Sequence, residues 1–321
     1  MKKRQYYPSP GFLNFLGAVA LAFVVFVSVP HLAVGLAHIP IELTPFPISV
    51  DPRTKTILER DPVSNSATPL LAAAVGSVRD GSAFLAAAIM TTKAYEYLDP
   101  LPQPVAVRIY PGMRKEQVTS AFGHELAWSK EQKDIFSNEV APLEGRLYPS
   151  VYLLQGSTTP YEVVSVLKSR FSERVAVRYA SSTEAQVPMA DALTIASIIE
   201  REAGSTEEMF IISGILWNRL FSGMRLQADS TLAYVRGTAK NGWWPVPRPR
   251  DKYLKSPYNT YQHEGLPPGP IAAPSVAAIY AALNPEKTEC VFFFHSSGRF
   301  YCSVTYEEHV AQLKKIYGRG K

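Results

Sequence analysis

The hydrophobic positions of this chain are arranged in very different ways along its length. From Phe12 to Val29, FLNFLGAVALAFVVFVSV carries no charge, and none follows until Glu42. With the flank past Pro30 included, the run reaches the ~20 residues that span a bilayer as a helix. A cleaved signal peptide competes with that reading, because the start is basic and the core apolar. The run is longer than a ~7–15-residue signal core, however, and no clear A-x-A site follows it. The expectation is an uncleaved anchor over residues 12–36 behind a cytoplasmic tail over 1–11. Lys2, Lys3 and Arg4 keep that tail inside and put everything after about residue 40 outside the cytoplasm.

Farther on, the pattern becomes that of a globular chain. Residues 39–66 are rich in Pro, Ser, Thr and Asp and read as a membrane-proximal linker. Residues 67–96 read as one or two apolar helices broken at Arg79-Asp80-Gly81, a charged centre that argues against a second span. PVAVRIYPGM alternates as a strand does and ends in a Pro-Gly turn, and residues 114–140 are polar and helix-prone. Ala190–Ala203 is helical and stops at Gly204. Ser205-Thr206-Glu207-Glu208 is a capping-box pattern for the helix through MFIISGILWNRLF, with Gly223 as its stop. Pro274 opens a further helix that Asn284-Pro285 closes. ECVFFFHSSGRFYCSV reads as a hairpin, and Thr305-Tyr306-Glu307-Glu308 caps a last helix ending near Gly318. Helices dominate with short strands between them, an α+β domain over about 140–321.

Composition adds limits. At 321 residues the chain can hold one large domain or two modest ones. Hydrophobic content of 46% with 19% charged residues fits a globular protein carrying one extra apolar segment. The net charge is +5, but Lys2, Lys3 and Arg4 supply three of those charges, and no run of Lys or Arg is interleaved with aromatics. Nucleic acid is therefore not an expected partner. Cys290 and Cys302 are the only cysteines, and folding the hairpin about Ser296 sets them opposite each other. Outside the cytoplasm a disulfide is plausible, stabilising by ~3 kcal/mol in the chain-entropy model, while two small buried apolar side chains are the equal alternative. Neither CxxC nor HExxH spacing occurs, so no metal and no cofactor is expected.

The densest chemistry lies in LEGRLYPSVY (143–152), ASIIEREAG (196–204), WNRLFSGMRLQADSTLAYVRG (217–237), SPYNTYQHEGLPPGPIAAPS (256–275) and NPEKTECVFFFHSSGRFYCSVTYEEH (284–309). In this order the segments resemble the YceG-like family of endolytic murein transglycosylases, over roughly residues 105–315. Ser150 stands where the family usually has Asp, and the LysM-like module before the catalytic domain is abbreviated to VRIYPGMRKEQVTSAF. The resemblance implies an α+β protein with an N-terminal transmembrane helix, and it supplies no reading of the linker and poorly assigned helical region over 37–104. A short LysM-like module would cover 105–140, and a mainly helical catalytic domain with a C-terminal β-hairpin would cover 141–321. It further implies a single-pass enzyme of the inner membrane that cuts the bond after N-acetylmuramic acid within glycan strands, leaving a 1,6-anhydro ring. Its partners would be peptidoglycan strands, the membrane and wall synthases.

Breaking a glycosidic bond takes a carboxylic acid that protonates the leaving oxygen. A lytic enzyme manages with one, because the muramyl 6-hydroxyl attacks intramolecularly. Glu200 and Glu202 are the candidates; they point about 160° apart on a helix, and periodicity does not choose between them. The resemblance chooses the first, so Glu200 is the expected catalytic residue beside Ile198 and Ile199, with Glu202 a structural partner. Gln227 and Asp229 of RLQADST, and Tyr258, Asn259 and Tyr261 of SPYNTY, are the expected substrate contacts, with loop architecture as the alternative for each. Glu144 is read chiefly as structural, and Trp243-Trp244 as a glycan contact or a lipid-facing patch. A two-carboxylate hydrolase using Glu200 with Asp229 or Glu144, and an inactive wall-binding scaffold, are the competing functions.

Overall fold

The computed structural model describes residues 44–59 and 104–318. Residues 104–107 and 151–157 belong to one compact unit, and 44–59, 108–150 and 158–318 to another. In chain order the elements are β1 (Val50–Asp51), β2 (Thr56–Ile57), β3 (Val105–Arg108), α1 (Lys115–Glu125), α2 (Lys130–Val140), β4 (Val151–Leu154), α3 (Pro160–Arg174), α4 (Ser181–Gln186), α5 (Met189–Glu202), α6 (Thr206–Phe221), α7 (Asp229–Arg236), α8 (Val276–Leu283), β5 (Phe292–Ser296), β6 (Arg299–Ser303) and α9 (Tyr306–Tyr317). The strands pair two by two, as β1-β2, β3-β4 and β5-β6. The fold is thus mixed, with helices predominating. Among the described residues no helix is long and apolar enough to cross a membrane. The anchor expected over 12–36 and the apolar helices expected over 67–96 lie outside the described residues.

The core is built around α5. Every residue from Ala192 to Ile199 is buried, so this helix is packed on all sides rather than along one stripe. Leu193, Ile195, Ile198 and Ile199 meet Ile212 and Leu216 of α6 and Ile279 and Leu283 of α8 in one apolar cluster. The alanines of α8 bring backbones close, and Trp217 Nε1 donates to the Ala282 carbonyl at 2.8 Å. Gly214 of α6 is required by the same closeness, because a Cβ there would lie 2.1 Å from the Glu286 carbonyl oxygen. Burying one Leu or Ile of this cluster stabilises by roughly 1.5–3 kcal/mol.

Two expectations are altered. The stretch 44–59, read as linker, is part of this body: Phe46 and Val50 are buried, and Phe46 N–H donates to the Arg178 carbonyl at 2.8 Å. Asn284 Nδ2 also reaches the Pro47 carbonyl at 2.6 Å. The capping box expected before α6 closes only halfway. Ser205 Oγ accepts from Glu208 N–H at 3.3 Å, but the Glu208 carboxylate turns to Gly204 N–H at 2.7 Å and to His295 at 3.0 Å. The hairpin turns on Ser297-Gly298, both with positive φ (50° and 72°), and Cys290 and Cys302 form a disulfide with Cα atoms 5.8 Å apart. Cys302 faces Phe293 in the ladder, so the bridge is diagonal rather than directly across.

Candidate active site

Two carboxylates leave the C-terminal end of α5 in opposite directions. Glu200 Oε2 accepts from Ser275 N–H at 2.9 Å, at the N-cap of α8. Glu202 Oε1 accepts from Ser230 N–H at 2.9 Å, in the first turn of α7. Each carboxylate therefore serves the positive end of a different helix, where exposed backbone N–H groups favour an anion. For α7 the service is needed locally, because its N-cap is Ala228, which has no side-chain acceptor.

The surroundings of the two differ. Burial pushes the Glu200 carboxyl above its ordinary range, opposed by its Ser275 hydrogen bonds and by the Arg201 guanidinium. Burial does the same to Glu202, against its Ser230 hydrogen bonds; the Asp229 carboxylate raises it further, while His295 lowers it. A like charge beside an acid keeps its proton on, and a cation beside it takes the proton off.

Around Glu202 the two polar loops meet. Thr260, buried, is the clasp: its Oγ1 accepts from Ala228 N–H at 2.9 Å and lies 2.9 Å from Thr231 Oγ1, while its carbonyl accepts from Gln227 N–H at 3.1 Å. Gln227 is exposed and held in the left-handed region, φ 47°, and its side-chain amide makes no hydrogen bond among the described residues. A non-glycine held there costs about 1 kcal/mol or more, and such outliers gather at binding sites. Asp229 is exposed and accepts from the Tyr261 hydroxyl at 2.7 Å. Burial and Asp229 together push the Tyr261 hydroxyl upward, so it stays a donor.

Asn259 sits differently from the contact role expected of it. It is 0% exposed, its Nδ2 donates to the Lys252 and Leu254 carbonyls (3.2 and 2.7 Å), and its Oδ1 accepts from Tyr261 N–H at 2.9 Å. With both ends of its amide engaged below the surface, it holds the loop in shape. Tyr258 is half-buried and packs on Tyr234 with ring centroids 5.0 Å apart.

Glu144 belongs to a second group. Its carboxylate accepts from Lys115 N–H at 3.2 Å and from the Tyr234 hydroxyl at 3.3 Å, and burial lifts its pKa to about 7. It caps α1, a helix with Arg114 in its N-cap position. The Trp243-Trp244 loop is not an outward-facing patch. Arg201 lies 4.1 Å from the Trp244 ring, Arg114 lies 5.1 Å from that of Trp243, and Trp244 Nε1 donates to Gln117 at 2.9 Å.

Two residues of importance were not singled out from the sequence. Thr260 lies inside SPYNTY but has no signature of its own. Arg219, of WNRLF, is buried and donates through Nε to the Val291 carbonyl at 2.6 Å and through a terminal nitrogen to the Leu226 carbonyl, tying the loop that carries Gln227 to the hairpin. A basic residue inside an otherwise apolar helix was the available signal.

Comparison with known proteins agrees with this architecture. An endolytic murein transglycosylase of Streptococcus pneumoniae is 31% identical over 170 residues, covering 52% of this chain and 31% of the relative. One of Bacillus subtilis is 29% identical over 229 residues, covering 63% of this chain and 62% of the relative. This chain thus spans less than two thirds of either. The crystal structure of a YceG-like protein from Listeria monocytogenes superposes with a TM-score of 0.57 at 27% identity, over 64% of this chain and 75% of that one. The model of the YceG-like family matches residues 54–315, and the chain belongs to that family.

Proposed function

We propose that this protein is an endolytic peptidoglycan transglycosylase whose general acid is Glu202. The observation that carries the choice is the company Glu202 keeps: Ser230, Asp229 and, through Asp229, Tyr261, beside the strained and unpartnered Gln227. Glu200, which the motif order favours, has Ser275 and Arg201 around it instead. The family and the relatives' names support the substrate class.

The chemistry follows from one group used twice. The protonated Glu202 carboxyl gives its proton to the glycosidic oxygen as the bond from the muramyl anomeric carbon to that oxygen breaks. Positive charge grows on the anomeric carbon, and the Asp229 carboxylate, held in place by the Tyr261 hydroxyl, stabilises it. The muramyl 6-hydroxyl attacks that carbon and hands its proton to Glu202, which restores the acid. No water is consumed. Gln227 is free to orient an N-acetyl group, and Tyr258 and Tyr261 form the aromatic floor. An anchor over 12–36 would hold this site on the outer side of the membrane, near strands still being made.

Incubation of the protein with peptidoglycan and mass spectrometry of the released glycans tests the reading. Anhydro ends that disappear with Glu202→Gln are expected. Water-added ends would instead make it a two-carboxylate hydrolase, and the absence of any cleavage would leave the scaffold reading standing.

A further inference from the structure

The stretch 253–263 encloses an open cleft of about 460 Å³ whose lining includes Tyr253, Lys255, Gln262 and His263. That volume lies within the ~300–1,000 Å³ of ordinary ligand sites. Its walls are built rather than loose. Asn259 ties the Lys252 and Leu254 carbonyls from within, and Gln262 Nε2 donates to the Lys252 carbonyl at 2.7 Å. Tyr253 is 79% exposed, which leaves its ring open to stacking. Lys255 and His263 are also exposed and have no carboxylate partner among the described residues. No lining residue is acidic: Glu264, which follows His263, lies outside the lining, and Asp251 is buried and paired with Arg236 at 2.8 Å. The cleft thus offers the Lys255 ammonium, the His263 ring and the Tyr253 ring. Tyr261, two residues beyond Asn259, belongs to the catalytic cluster, so the cleft and that cluster share one loop.

We propose that this cleft binds a carboxylate of the peptide stem attached to the glycan strand, with Lys255 and His263 meeting the anion and Tyr253 covering the adjoining sugar or peptide face. The inference rests on the proposed substrate class. It adds that the enzyme reads the stem as well as the sugars, through a subsite that takes no part in the chemistry. Lys255 is a point charge on a flexible stem, suited to a carboxylate that approaches from solvent.

Equilibrium binding of the protein to soluble glycan strands separates this inference from the catalytic one, because it needs no turnover. Three ligands are compared: strands with stems, the same strands after enzymatic removal of the stems, and strands whose stem carboxyls are amidated. Stemmed strands are expected to bind about fivefold tighter than either control, the size of one exposed charge pair. Lys255→Gln should erase that difference and leave stemless strands bound as before, with Tyr253→Ala weakening all three. Equal affinity for all three strands, or for native and amidated stems, overturns the proposal even if cleavage proceeds as described. Loss of cleavage with the fivefold preference intact would count against the catalytic reading alone.

Discussion

The two faces of α5 carry the same side chain, the same 2.9 Å bond to a helix N-terminus and the same upward push from burial, yet they are not equivalent. On the Glu200 face the neighbouring charge is a cation, Arg201, which itself lies against the Trp244 ring. On the Glu202 face the anion Asp229, set on an exposed loop with an unengaged amide next to it, acts against His295. The first face closes a packing arrangement between α5 and α8. The second leaves hydrogen-bonding capacity facing solvent. Burial alone therefore does not mark a catalytic acid; the sign of the neighbouring charge and the presence of unpartnered polar groups do.

Apart from the glutamates themselves, Asn259→Ala should have the largest effect on this contrast. It leaves the Tyr261 N–H and the Leu254 carbonyl without this partner, while the Lys252 carbonyl keeps Gln262 Nε2. Each such group costs roughly 1–3 kcal/mol, so thermal unfolding should come several degrees earlier and cleavage should fall with it. If melting were unchanged, the loop would not depend on this residue and the separation of scaffold from contact would fail.

Glu144 offers a pH test on stability. Its folded-state pKa of about 7 exceeds the ordinary value of 4.5, so between those values the folded chain holds a proton that the unfolded chain has released. Its contribution is therefore full at pH below about 4.5 and is lost as pH rises toward 7. Glu144→Gln should flatten that part of a denaturant-measured stability profile, while Glu200→Gln should flatten it less.

Asp229→Asn should act on the rate profile instead. Removing the like charge lowers the Glu202 pKa, so activity that needs the protonated acid should fall away at a lower pH than in the parent. A basic limb that stays put would detach Asp229 from the acid. The smallest effect expected is that of Gln227→Gly, which relieves the φ of 47° and should raise stability by about 0.5–1 kcal/mol while slowing cleavage.

Much of this was legible from local pattern. Ala190–Ala203 appears as α5 over Met189–Glu202, and the last helix begins at its capping Thr305 and stops at Gly318 with φ 71°. These boundaries are set within a few residues, by caps and glycines, and sequence carries that information directly. The caps of α1 and α7 were invisible because Glu144 and Glu202 act from 29 and 28 residues away. The same distance explains the choice between Glu200 and Glu202. Helical period gave their opposite directions, but what lies in each direction is decided by where the loops of Ser230 and Ser275 return. The stretch 44–59 misled for a related reason. Its Pro and Ser content reads as linker, yet Phe46 and Val50 find a pocket made by segments more than a hundred residues away.

The central claim is tested most directly by comparing Glu200→Gln and Glu202→Gln side by side, with turnover and melting measured on the same samples. Glutamine keeps an oxygen that can accept from Ser275 or Ser230 N–H, so both variants should fold. The account predicts that Glu202→Gln melts near the parent but loses cleavage by the ~10²–10⁴-fold of a missing general acid, while Glu200→Gln cleaves within a few-fold of the parent. Cleavage abolished by Glu200→Gln and retained by Glu202→Gln would contradict it.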